Sequence, residues 1–175
     1  MRVFFSSIIL IVLIMFSFGF VGCNNVDNDG ILRIHIRANS NSEDDQEIKL
    51  FIRDNVIDYI GDNITKCNTC AEVKDTLSNE LSSIEKIANK VLIDAGYEYM
   101  SSAKITREYF PTRSYDGVSF PAGYYDALII ELGTAKGDNW WCVAYPPLCF
   151  VGKDSGDYTI RYKSKIVEII ERCFS

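Results

Sequence analysis

Four sets of residues in this chain carry groups capable of chemistry. Residues 138–150, DNWWCVAYPPLCF, hold both tryptophans, two adjacent prolines and two of the six cysteines. Cys67-Asn68-Thr69-Cys70 is a CxxC pair, His35 is the one histidine, and Glu43-Asp44-Asp45 is an acidic run. A CxxC just before a helix is where backbone N–H groups can lower a thiol pKa, as redox chemistry needs. A thioredoxin-like unit also needs a strand leading into the motif, and GDNITKCNTC supplies none. Zinc takes four N or S ligands, and a CxxC plus a C-x6-C with a single His is not a common structural set. Any triad or imidazole acid–base role falls to His35, yet no Gly-x-Ser-x-Gly or comparable nucleophile turn accompanies it. Glu43-Asp44-Asp45 reads as a solvated first helical turn at the positive end of the dipole. The residues favour recognition over catalysis, with no metal and no cofactor expected.

The stretch at 138–150 is the candidate recognition element. A bond between Cys142 and Cys149 encloses Val143 to Leu148, and closing so short a loop removes about 2–3 kcal/mol of unfolded-chain freedom. Pro146 and Pro147 stiffen it further. A stiff loop loses little entropy on binding, and Trp and Tyr are enriched among binding hot spots. On a strand Trp140 and Trp141 face opposite sides, so one can be core while the other is free to meet a partner.

The redox compartment follows from the N-terminus. Between Arg2 and Asp27 there is no charged side chain, the pattern of an export signal or membrane anchor. Three outcomes fit residues 1–22: cleavage after Ser17-Phe18-Gly19, lipidation of Cys23 after Phe20-Val21-Gly22, or retention of Val3 to Gly22 as an anchor. Each places the polar spacer 23–30 and a domain over 31–175 outside the cytoplasm, with membrane contact only through the N-terminal segment. There the cysteines are disulfide candidates before metal ligands, Cys142 with Cys149 first and Cys67 with Cys70 second. Without residues 1–22 the chain has 17 basic and 24 acidic residues, a formal charge of −7. Such a surface repels phosphate, which excludes nucleic acid and anionic lipid head groups as natural partners.

The elements that position these groups follow from periodicity. Ile31 to Arg37 alternates as a half-buried strand, with Leu32, Ile34 and Ile36 on one face and Ile31, Arg33, His35 and Arg37 on the other. Ser40 or Ser42 caps a helix starting near residue 43, with Ile48, Phe51, Ile52, Val56, Tyr59 and Ile60 as its stripe and Gly61 as its stop. Asn68 or Thr69 caps a second helix with Val73, Leu77, Leu81, Ile84, Ala88, Val91 and Leu92 inward, ending at Gly96. Strands follow at 97–110, 124–132 and 140–145, with a loop or small hairpin turning at Asp116-Gly117 and a helix-like tail from Ile160 to Phe174. The order predicts a single α+β domain, a mainly antiparallel sheet with helices packed on one face.

Three blocks together resemble the stage II sporulation protein R family of endospore-forming bacteria: LRIHIRANSNSEDDQEIKLFIRDNV (32–56), YFPTRSYDGVSFPAGYYDALIIELG (109–133) and GDNWWCVAYPPLCF (137–150). The positions matching its motifs are His35, Ala38, Asn39 and Ser40; then Pro111, Thr112, Arg113, Tyr115, Pro121 and Gly123; then Asn139 to Cys142 and Pro146 to Cys149. Arg37 and the CNTC stretch depart from the family pattern. The resemblance implies a signalling protein exported from the forespore into the space between the two membranes around it. There it activates a membrane-embedded aspartic protease of the mother cell, which removes the pro-sequence of the sigma-E precursor. It implies an activator rather than an enzyme, and it brings no catalytic residues. The candidate partner-binding residues are Trp140, Trp141, Tyr145, Pro146, Pro147, Arg113, Tyr115, His35 and Asn39. A wall-glycan-binding module and a thiol oxidoreductase are the alternative readings.

Overall fold

The structure is a computed structural model that describes residues 30–115 and 118–150. The expected export segment, Cys23, the expected turn at Asp116-Gly117 and the expected tail helix lie outside the described residues. Among the described residues six strands and two long helices run in the order β1 (Leu32–Arg37), α1 (Glu43–Ile64), α2 (Cys70–Asp94), β2 (Ser101–Phe110), β3 (Arg113–Tyr115), β4 (Val118–Phe120), β5 (Gly123–Leu132) and β6 (Asn139–Tyr145). A 3-10 turn, Leu148–Phe150, follows. The main sheet has the order β2-β5-β1-β6, and β3 and β4 form a separate antiparallel hairpin. Within the main sheet β1 runs parallel to β5, and the other pairings are antiparallel. This is the expected α+β class, with both helices on one face.

Ser42 caps α1, its Oγ accepting from the Asp45 N–H at 3.2 Å, and Thr69 caps α2 through the Glu72 N–H at 3.2 Å. Gly61 does not end α1, which continues to Ile64. Ile64 extends the buried line Ile48, Ile52, Val56, Ile60 by one more turn. Burying it contributes about 2 kcal/mol, more than the roughly 1 kcal/mol that an interior glycine costs. Two residues assigned to that stripe are displaced from it: Phe51 is 58% and Tyr59 38% exposed. Phe51 lies about 100° around the helix from Ile52, beyond the reach of the sheet.

The core between helices and sheet joins this line and Val73, Leu77, Ile84, Ala88 and Leu92 of α2 to Leu32, Ile34 and Ile36 of β1 and Leu128, Ile130 and Leu132 of β5. The outer edge of β2 is closed by α2 side chains. Asn89 Oδ1 accepts from the Ser101 N–H at 2.6 Å and Glu85 Oε1 from the Ala103 N–H at 2.7 Å. Sheet edges left bare invite pairing with other chains, and these caps oppose that at the start of β2. Strand β2 starts at Ser101 rather than Tyr97, because residues 97–100 bridge the left-handed Gly96 (φ +81°) to the sheet. Within that bridge the Tyr97 and Tyr99 hydroxyls reach α1, at the Asp44 carbonyl (3.0 Å) and Asp45 Oδ1 (2.5 Å).

The expectation of a half-buried β1 is corrected: its far face is buried too, with Arg33 fully inside and His35 3% exposed. The cover comes from distant sequence. Phe110, Phe120, Tyr125, Ala127, Ile129 and Val143 form a second core there with Ile31, and the β3–β4 hairpin lies over it through Tyr115 and Val118. Beyond the hairpin the same sheet face is charged. Arg37 pairs with Glu108 and Glu131, and Lys104 reaches Glu131 at 2.9 Å.

Candidate functional site

The far face of the sheet gathers residues from all three sequence blocks. His35 projects there from β1, Trp141 from β6 and Phe110 from β2, each pair edge to face at 4.9 to 5.7 Å. From the hairpin, the exposed Arg113 lays its guanidinium over the Trp141 ring at 4.5 Å. One strand position inward, Arg33 sits among the rings of Phe110, Tyr125, Phe120 and Tyr115, 4.7 to 5.8 Å from their centroids. Its Nε donates to the Cys142 carbonyl at 3.2 Å and its Nη2 to the Tyr115 hydroxyl at 3.1 Å. No described carboxylate makes an ion pair with it. Burial holds its pKa below the ordinary arginine value, with Tyr115 acting the other way.

Among the described residues, four polar atoms on this face are buried with no hydrogen-bond partner: Arg33 Nη1, both ring nitrogens of His35 and Trp141 Nε1. His35 Nδ1 stands 3.6 Å from Glu108 Oε2, too far for a hydrogen bond. Burial pushes the His35 pKa below 6.5, so the ring is neutral in the fold near pH 7. Among the described residues no Ser, Thr or Cys side chain is hydrogen-bonded to this imidazole.

The two tryptophans divide as the strand requires. Trp140 joins the helix-side core beneath Arg53, whose guanidinium stacks on it at 5.4 Å, while Trp141 belongs to the far face. Tyr145 also lies on the helix side and donates to the Asn68 carbonyl at 2.8 Å, anchoring the link between the helices. The side shared by Trp140 and Tyr145 passes through an irregularity in the β1–β6 register between Leu32 and Arg33. The Tyr145–Pro146 peptide is cis, Pro146 is buried, and Pro147 is half-buried.

Asn39 holds a corner instead of facing outward. Its Oδ1 accepts from the Thr134 N–H at 2.9 Å and its Nδ2 donates to Asp45 Oδ2 at 2.9 Å, tying the β5–β6 turn to the start of α1. Gly133 (φ +55°) and Gly137 let that turn approach, since a Cβ would meet the Asn39 side chain at the first and the Ser40 carbonyl at the second. The site therefore brings together His35, Trp141, Arg113 and Tyr115 and leaves Trp140, Tyr145 and Asn39 elsewhere. Arg33, Glu108 and Phe110 were not singled out in the sequence. Their signal was present in the strand alternation and in the aromatic density of residues 109–125.

Cys142 and Cys149 are bonded, with Cα atoms 5.9 Å apart, closing the turn after β6 back onto the strand that carries Trp141. Cys67 and Cys70, at the link between the helices, are not bridged. The Cys67 thiol donates to the Asn63 carbonyl at 3.4 Å. Among the described residues no group of three or more His, Cys, Asp or Glu is arranged to hold a metal. We expect Cys149→Ser to lower stability by about 2–3 kcal/mol in denaturant unfolding, the loop-closure value for a ring this small. Peptide mapping without reductant should recover residues 142 and 149 in one linked fragment.

A family model described as stage II sporulation protein R matches residues 28–155, which includes every element of the sheet and both helices. The chain belongs to the stage II sporulation protein R family. It is 36% identical over 129 residues to the stage II sporulation protein R of Bacillus subtilis strain 168, a match covering 74% of this chain and 58% of that protein. The chain thus spans less than two thirds of the length of that relative. No solved structure matches it. The matched region contains the whole far-face cluster, so the site is built from the part of the chain that the family model covers.

Proposed function

We propose that this chain is an exported sporulation signal, active between forespore and mother cell, that switches on the membrane-embedded aspartic protease responsible for processing the sigma-E precursor. The supporting observation is convergence: the three sequence blocks, far apart along the chain, supply His35, Arg113, Tyr115 and Trp141 to one sheet face. That face offers an exposed guanidinium on an indole, above buried N–H groups with no acceptor among the described residues, in a chain that is otherwise acidic. Arg and Trp are the residues richest in contact energy at interfaces, and a preformed arrangement loses little entropy on docking. The chain acts by contact. It biases the protease because it binds the competent state more tightly than the idle one, the only way a ligand shifts such an equilibrium.

Coexpression with the protease and the sigma precursor in a non-sporulating host tests this reading. Precursor processing should require the chain, and Arg113→Ala should cut it about tenfold or more, the scale of a hot-spot residue. Arg113 is exposed, so this loss comes without loss of fold. Processing that proceeds equally without the chain, or unchanged with Arg113→Ala, contradicts the proposal.

A further inference from the structure

The helical layer, on the opposite side of the sheet from Trp141, carries a second surface that the activator reading does not use. Phe51 stands 58% exposed between two adjoining clefts, one running to Tyr97 and the other along α2 to Ile87 and Val91. Buried Ile48 lines both clefts, and the exposed Ala95 stands at their common edge. Phe51 and the exposed Leu50 line the first cleft together, and adjoining exposed apolar groups mark interaction sites where scattered single ones do not.

The rim decides the partner. Asp44, Glu47 and Asp54 edge the first cleft and Asp94 the second, with Lys90 the one cation among the described lining residues. Asp54 is engaged by Arg53, whereas no described Lys or Arg makes an ion pair with Asp44, Glu47 or Asp94. An apolar groove edged by uncompensated carboxylates complements a segment with aliphatic side chains on one face and Lys or Arg beside them. A second copy of this chain would bring the same carboxylates to a two-fold contact, which repels. Anionic lipid is repelled likewise.

We propose that the Phe51 groove docks a cationic amphipathic segment of a protein partner, with aliphatic groups seated on Phe51 and basic groups on Asp44, Glu47 and Asp94. The site is independent of the Trp141 face, and the two give separable results.

The test uses the full exported chain and a synthetic amphipathic Leu/Lys peptide as probe, followed by fluorescence anisotropy. Saturable binding is expected, weakening as salt rises and falling about tenfold in Phe51→Ser and again in Glu47→Lys. Both positions are exposed, so the variants keep the fold, which circular dichroism checks. A photoreactive phenylalanine analogue at position 51, in sporulating cells, should capture a Lys- or Arg-bearing peptide of another protein. Capture of this chain's own residues 151–175, whose sequence includes Arg161, Lys163 and Lys165, makes the groove an intramolecular seat and overturns the proposal. Capture of a second copy overturns it too, as does peptide binding insensitive to Phe51→Ser.

Discussion

Arg33→Ala should lower the stability of this domain by about 3–5 kcal/mol, whereas Arg33→Met should cost far less. Arg33 is fully buried, so its guanidinium gives up hydration that costs several kcal/mol. The compensation consists of four aromatic faces and two hydrogen bonds, to the Cys142 carbonyl and the Tyr115 hydroxyl, with no described carboxylate in an ion pair. Alanine would leave a cavity under the hairpin and strip the second core of its central contacts. Methionine keeps most of the volume without burying a charge, and such replacements of buried ions are often nearly neutral. Urea unfolding under oxidising conditions measures both. Because Tyr115 and Phe120 hold the β3–β4 hairpin against this core, Arg33→Ala should also speed proteolytic nicking within residues 111–122. A loss under 1 kcal/mol in Arg33→Ala would show that the cage does not bind the hairpin.

Asp45→Ala should cost about 3 kcal/mol near pH 7 and progressively less in acid. The carboxylate is 5% exposed and accepts from Ser40 Oγ at 2.5 Å, Asn39 Nδ2 at 2.9 Å and the Tyr99 hydroxyl at 2.5 Å. Burial alone would raise its pKa; the hydrogen bonds from Ser40, Tyr99 and Asn39 together outweigh burial and bring it below 3.8. A depressed folded pKa means the contribution is complete above the unfolded value and is lost as pH falls through the folded one. The wild-type advantage over Asp45→Ala should therefore be constant at neutral pH and shrink below about pH 4. His35, with its pKa lowered by burial, makes both proteins less stable as pH drops below 6.5, and the difference between them cancels that effect. A gap that widens in acid would contradict the assignment.

Local chemistry was legible in the sequence where a residue and its reason lie close together. Ser42 and Thr69 cap the helices because their hydroxyls reach N–H groups three residues on, and alternation placed Trp140 and Trp141 on opposite faces. The Cys142–Cys149 bond was one candidate pairing among the cysteines, and spacing alone does not fix connectivity; the fold brings the two together. Coverage was not legible, because it depends on partners far along the chain. Arg33, His35 and Arg37 alternate as a solvent face would, yet Phe110, Tyr115, Phe120 and Tyr125 arrive from residues 110–125 to bury the first two. The same limit put Phe51 into a core stripe, since helical spacing shows which residues share a face but not how wide the covering surface is. Asn39 looked like a surface residue of a matching block and proved to be the clamp between two loops.

The most direct measurement places the protease and the sigma precursor together in lipid vesicles and adds the purified chain, residues 23–175, at increasing concentration. Contact activation predicts that the cleavage rate rises and saturates, and that Arg113→Ala needs about tenfold more protein to reach half of the same maximum. A rate independent of added protein, or an identical concentration dependence for Arg113→Ala, would contradict it.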